Sequence, residues 1–115
     1  MTMERINLTR PQKSFLRSYL DCLDEEAIEM LLREDESGFV GRLKELDFDD
    51  GECAHPSLLA VARNLDKKGA FSTMDVHFDR LGDPHLYVAF NETGAKLLYQ
   101  VGREACRGRR PRIAV

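Results

Sequence analysis

The spacing of apolar residues changes twice in the second half of the chain, and this change constrains the fold more than any other feature. Residues 56–68 have apolar positions at helical spacing and end at Gly69, which predicts an amphipathic helix with a glycine stop. Apolar and polar residues then alternate in two runs, at Met74, Val76 and Phe78 and again at Leu86, Val88 and Phe90. This alternation is typical of half-buried strands, and the turn-forming residues at 80–85 between the runs predict a two-stranded hairpin.

Four further helices are predicted around this segment. Helix-start signals and apolar spacing place them from about Arg10 to Asp21 or Leu23, after Asp24, from Phe39 to Leu46, and from Asn91 to Gly102 or a few residues beyond. Thr9 and Gln12 have the spacing of a capping box at the first of these helices. Residues 47–51 are acidic and end in glycine, which predicts a loop.

The length and composition favour a single soluble domain. The 115 residues are enough for one hydrophobic core, which we assign to residues 1–102, and the arginine-rich segment 103–115 is predicted to be a flexible basic tail. The three cysteines are odd in number and far apart in the sequence, which favours reduced thiols over disulfides. No apolar run approaches the roughly 18 residues that a bilayer span needs. We therefore expect a cytoplasmic protein with no membrane association.

Charge is distributed unevenly along the chain. The net charge is −3, but residues 21–52 contain thirteen acidic residues against three basic ones. The remainder contains fourteen basic and seven acidic residues. This separation predicts one surface that attracts anions and another that is acidic.

The order of three helices, a basic helix, a hairpin and a closing helix resembles the winged helix-turn-helix domain of the MarR family of transcriptional regulators. The resemblance is carried by Leu8-Thr9 with Gln12, Phe15 and Leu16, by residues 65–69, and by residues 91–94 with Leu97-Leu98. It implies a mainly α fold with a small β-hairpin (α+β), about five helices and a two-stranded wing. It also implies a recognition helix at about 56–68, a wing at about 71–90, and double-stranded DNA as the partner.

The candidate DNA-binding residues are polar or basic and fall on three parts of this arrangement. They are Ser57, Arg63, Asn64, Lys67 and Lys68 on the recognition helix, Arg80 and His85 on the wing, and Arg107, Arg109 and Arg110 in the tail. Arginine suits both guanine and phosphate because its guanidinium group presents a fork of donors. No combination of residues has the spacing of a catalytic or metal site, so we expect neither an enzyme nor a bound metal or cofactor.

A protein-interaction module is the alternative hypothesis. The net acidity favours it, as do Leu59 and Ala60, which stand where the resemblance implies side chains that hydrogen-bond to bases. Under this hypothesis the acidic segment 21–52 would contact a protein partner, without sequence-specific DNA binding. The sequence leaves the oligomeric state open, a homodimer included.

Overall fold

The computed structural model of the protein describes residues 7–50 and 56–108. Within these ranges the fold is α+β, with five helices and one three-stranded antiparallel sheet. The elements in chain order are α1 (Arg10–Leu20), α2 (Glu25–Leu32), α3 (Glu36–Leu43), β1 (Asp47–Asp50), α4 (Pro56–Lys67), β2 (Phe71–Phe78), β3 (Pro84–Phe90) and α5 (Glu92–Gly108).

The helices begin where the sequence provides capping side chains. The predicted capping box is confirmed, because the Thr9 hydroxyl accepts from the Gln12 amide and the Gln12 side chain accepts from the Thr9 amide. Asp24 caps α2 by accepting from the Ala27 amide at 2.9 Å. Asn91 does the same for α5. These bonds satisfy amide groups that the first turn of a helix leaves without partners.

The predicted hairpin is present, but it belongs to a larger sheet. The strand order is β1-β3-β2, so β3 is central and pairs with the other two strands. The prediction of a loop at residues 47–51 was wrong for 47–50, which form β1. Phe48 lies opposite Val88 and is buried. Three aspartates in four residues disfavour a strand, and pairing with β3 together with burial of Phe48 overrides that preference.

Aromatic rings connect the sheet to the first helix. Tyr19 of α1 meets the rings of Phe15, Phe48 and Phe90 edge to face, with centroids 5.3–5.6 Å apart. Leu86, Val88 and Phe90 point from β3 toward this core and are buried. Edge-to-face pairs of this kind add to the free energy of apolar burial. α5 packs across the helical side, against α1, α2 and α3.

The last helix extends further than the sequence indicates. It continues to Gly108, so residues 103–108 of the predicted tail are helical. Arg103 is held in place because its guanidinium group donates to the Leu31 carbonyl at 3.0 Å and to the Glu34 carboxylate at 3.1 Å. Only 22% of its side chain is exposed. A residue expected in a flexible tail therefore joins α5 to the end of α2.

Candidate nucleic-acid interface

One face of α4 carries polar and basic side chains that form no hydrogen bond or ion pair with the described residues. Ala62 and Leu65 are buried on the side where α4 packs against α1 and β2. Arg63, Asn64 and Lys67 are exposed on the other side, and a spacing of three or four residues places them next to one another. None of the three side chains forms a hydrogen bond or an ion pair with the parts of the chain that the structure describes.

The first turns of α4 depart from a simple amphipathic pattern. Leu58 has helical spacing with the buried Ala62 and Leu65, yet it is exposed. Leu59, which the resemblance places toward a DNA groove, is half-buried against the core. Ala60 is exposed beside the polar residues. Besides Leu58, the exposed positions of α4 within residues 58–67 are Ala60, Arg63, Asn64, Asp66 and Lys67, so the basic side chains share the exposed surface with one acid.

Lys68 is exposed, but its ammonium group has partners within the chain. Its ammonium group donates to the Asn7 carbonyl at 3.0 Å and to the Gln12 side chain at 3.1 Å. Gln12 in turn accepts from the Thr9 amide at the start of α1. Lys68 therefore connects the end of α4 to the cap of α1, whereas Lys67 projects into solvent.

The turn between β2 and β3 is built by an aspartate and a histidine. One carboxylate oxygen of Asp79 accepts from the amides of Leu81 and Asp83, each at 2.9 Å, and Gly82 supplies the positive φ of 84° that the turn requires. The other oxygen lies 3.0 Å from Nε2 of His85. The hydrogen bond to His85, with those from the backbone, holds the pKa of Asp79 below its usual value.

The two predicted wing contacts thus have different surroundings. His85 is bonded to Asp79 and shapes the turn, so its ring is not free to meet a ligand. Arg80 is exposed at the turn and has no polar partner within residues 7–50 and 56–108. Of these two residues, Arg80 is the better placed to contact an anion.

The remaining predicted residues lie near the ends of the described segments or outside them. Ser57 belongs to the first turn of α4 and Arg107 to the last turn of α5. Arg109 and Arg110 lie outside the described residues.

Most of the acidic side chains belong to a different part of the molecule. α2 and α3 pack against each other and against α5, while α4 packs against α1 and β2. Arg42 holds α2 and α3 together by contacting the carboxylates of Asp24, Glu26 and Glu45. The hydrogen bond from Arg42 lowers the pKa of Asp24 from its usual value. β1, with its aspartates, lies at the opposite edge of the sheet from β2.

The sequence prediction missed two exposed apolar residues at the hairpin. Phe78 is 68% exposed and Leu81 is 85% exposed. Leu81 could have been identified from its position, since an apolar residue between Arg80 and Gly82 in a tight turn has no core to enter. Phe78 continues the alternation of Met74 and Val76, which are half-buried, but it lies at the exposed end of β2.

The described residues offer no metal site and no membrane span. No group of three or more His, Cys, Asp or Glu side chains in residues 7–50 and 56–108 could hold a metal ion. His77, which follows Asp75 by two residues, meets the ring of Tyr87 at a centroid distance of 4.8 Å. None of the helices in the described ranges combines the length and apolarity needed to traverse a bilayer.

Comparison with protein-family models, with curated proteins and with solved structures gives no match for this chain.

Proposed function

We propose that this protein binds double-stranded DNA through the outward face of α4 and the β2–β3 hairpin, as a winged-helix transcriptional regulator of the kind that the MarR resemblance implies. The observation that carries the proposal is the set of exposed side chains Arg63, Asn64 and Lys67, which no described residue engages. Unpaired donors on one side of a helix are what phosphate and base contacts require.

The sheet supports the same proposal. A hairpin follows α4 directly, and its turn carries Arg80 with no internal polar partner. A third strand, β1, pairs with the far side of β3 and stiffens the hairpin. In this arrangement α4 would approach the major groove while Arg80 meets the adjacent backbone or minor groove.

One feature of the chain order determines how α4 would be supported. Among the described residues, the element before α4 is β1, and residues 51–55 lie between them. Within this part of the chain, α4 is held by α1 and β2. The bond from Lys68 to Gln12 fixes the end of α4 on α1. We infer that these contacts with α1 and β2 hold α4 in the position in which it would meet DNA.

The side chains divide into different kinds of contact. Arg63 can bond to guanine or to phosphate, Asn64 can bond to adenine, and Lys67 supplies a charge for phosphate. Ala60 offers an apolar contact to a thymine methyl group. With one arginine and one asparagine able to read bases, affinity depends mainly on phosphates and sequence selectivity is modest.

Fluorescence anisotropy with a mixed-sequence duplex about two helical turns long tests the proposal. In about 50 mM salt we expect saturable binding that weakens steeply toward about 200 mM, because phosphate contacts release counterions. Arg63→Glu should weaken binding about tenfold or more. Arg17→Glu is the matched control, since Arg17 is also exposed but lies on α1 beside α2 and α5. Absence of binding at low salt, or equal loss in both variants, would refute the proposal.

A protein-interaction module without sequence-specific DNA binding is the second candidate. It is favoured by the internal bonds of Lys68 and His85, which reduce the number of side chains available to DNA. The double variant Arg63→Glu/Arg80→Glu discriminates between the two candidates. DNA binding should be lost in this variant, whereas a protein bound at the acidic segment 21–52 should remain bound.

A further inference from the structure

An apolar groove lies on the helical side of the molecule, away from the outward face of α4. It runs between the end of α1, the second half of α2 and the last turns of α5, and it has a volume of about 1010 Å³ that opens to solvent. Leu20, Leu23 and Leu31 line its inner part, and Leu23 and Leu31 are buried.

The groove is shaped by close packing of α5 against the other two helices. A Cβ atom at Gly102 would lie 2.9 Å from Leu31 Cδ1 and 3.3 Å from Leu20 Cδ2. Because residue 102 has no side chain, α5 approaches α1 and α2 closely there. Ala105 and Cys106 then line the groove with small side chains.

One wall of the groove exposes large aliphatic side chains. Ile28 and Leu32 are one turn apart on α2 and are 38% and 60% exposed. A single exposed leucine on a surface is ordinary, but two neighbours bordering an apolar groove form a continuous patch. Removing this patch from water would be favourable for a partner with a matching apolar face.

Acidic side chains surround the patch. Glu25 and Glu29 lie on α2 beside Ile28 and Leu32, since residues three and four apart share a side of a helix. Asp21 and Glu104 line the groove across from them. Arg17 is the only cation among the described side chains that line it.

Internal ion pairs engage two of these four acidic side chains and leave the other two without a cationic partner in the described residues. Glu29 is 3.9 Å from Arg33, and Glu104 is 3.5 Å from Lys13, with all four side chains well exposed. Such pairs are screened by water. Asp21 and Glu25 have no cationic partner within residues 7–50 and 56–108.

The geometry points to a docking site for a cationic amphipathic helix of a partner protein. The apolar side of the helix would occupy the groove against Ile28 and Leu32, and its lysines or arginines would face the acidic rim. A second copy of this chain fits less well, because a symmetric contact would bring two acidic rims together. This site is separate from the proposed DNA-binding face and does not depend on it.

A labelled synthetic peptide of about 15 residues with leucine and lysine at helical spacing is the probe. Fluorescence anisotropy with the full chain should show saturable binding. A scrambled peptide of the same composition, without an apolar side, should bind at least tenfold more weakly. Equal binding of the two peptides would mean that charge alone attracts them and would overturn the proposal.

Two pairs of variants locate the contact. Leu32→Asp should weaken peptide binding about tenfold, while Leu81→Asp, an exposed leucine on the hairpin, should not change it. Glu25→Lys should weaken binding, while Asp75→Lys, an exposed acid on β2, makes the same charge change and should not. Circular dichroism verifies that each variant is folded. Unchanged affinity in Leu32→Asp and Glu25→Lys would overturn the proposal.

Two further outcomes would identify a different occupant. The first is a dimer, seen by sedimentation, that Leu32→Asp dissociates. That result would assign the groove to a second copy. The second is a rise in peptide affinity in Ile113→Asp, a change outside the described residues, because a rise would assign the groove to the chain's own C-terminal end. Either result would overturn the proposal of a separate partner.

Discussion

The Asn91 side chain donates a hydrogen bond of 2.7 Å to the carbonyl oxygen of Gly69. Its amide oxygen accepts from the Gly94 amide at 2.9 Å, and its backbone amide donates to the Ala70 carbonyl at 3.2 Å. One residue therefore caps α5 and fixes the segment that leaves α4. The bonds tie the candidate DNA-binding helix to the helix that closes the core.

Asn91→Ala should destabilise the protein by about 1–3 kcal/mol, because it removes both the cap of α5 and the bond to Gly69. Urea unfolding followed by circular dichroism measures the change. Asn64→Ala is the control, since Asn64 is exposed on α4 without an internal partner, and it should change the stability by less than about 0.5 kcal/mol. Equal effects of the two variants would contradict the structural role of Asn91.

Gly94→Ala should destabilise the protein by about 2 kcal/mol or more, because a Cβ atom there would lie 1.9 Å from the Ala70 carbonyl oxygen. Backbone must move to relieve that contact. Gly41→Ala is a matched substitution on α3 with nothing within 4 Å of the new atom, and it should stabilise the protein by about 0.5–1 kcal/mol. The urea midpoint should therefore fall in Gly94→Ala and rise in Gly41→Ala, although the chemical change is the same.

Asp24→Asn should flatten the loss of stability in acid. The hydrogen bond from Arg42 lowers the pKa of Asp24 from 3.8, so the ionised carboxylate favours the folded state. Its contribution is present above the unfolded pKa and is lost as the pH falls through the lower folded pKa. Asparagine remains a good helix cap, so the variant removes the charge pair and retains the cap.

Urea midpoints at about pH 6 and about pH 2.5 measure this effect on either side of the carboxylate pKa range. The difference between the two midpoints should be smaller for Asp24→Asn than for the unchanged protein. Glu25→Gln is the control, because Glu25 is exposed beside Asp24 with no cationic partner in the described chain. The same flattening in Glu25→Gln would show that Arg42 is not its cause.

The sequence predicts elements whose signals are local. Thr9, Asp24 and Asn91 mark helix starts because the capping bonds involve residues only three positions away. β1 is not predictable in this way, since its pairing with β3 joins residues such as Phe48 and Val88 that are far apart in the chain. The end of α5 is missed for a similar reason, because Arg103 is held by the carbonyl of Leu31.

The same distinction between local signals and long-range contacts applies to the candidate surfaces. The exposed side of α4 was predicted from its helical spacing, and Arg63, Asn64 and Lys67 are indeed exposed. The different positions of Lys67 and Lys68 were not predictable, because only the approach of α1 gives Lys68 a partner in Gln12. The apolar groove likewise depends on the contact between α5 and α2, which no local pattern reveals.

Lys67→Ala and Lys68→Ala should affect different properties, although the two residues are adjacent and have the same charge. Lys67 is exposed without an internal partner, so its loss should weaken DNA binding and reduce the salt dependence by about one phosphate contact. Lys68 bonds to Asn7 and Gln12, so its loss should lower the stability by about 0.5–1 kcal/mol. Anisotropy and urea unfolding on both variants measure the two effects. Equal losses of DNA affinity would show that the electrostatic field of the helix end, rather than a contact by Lys67, accounts for the attraction.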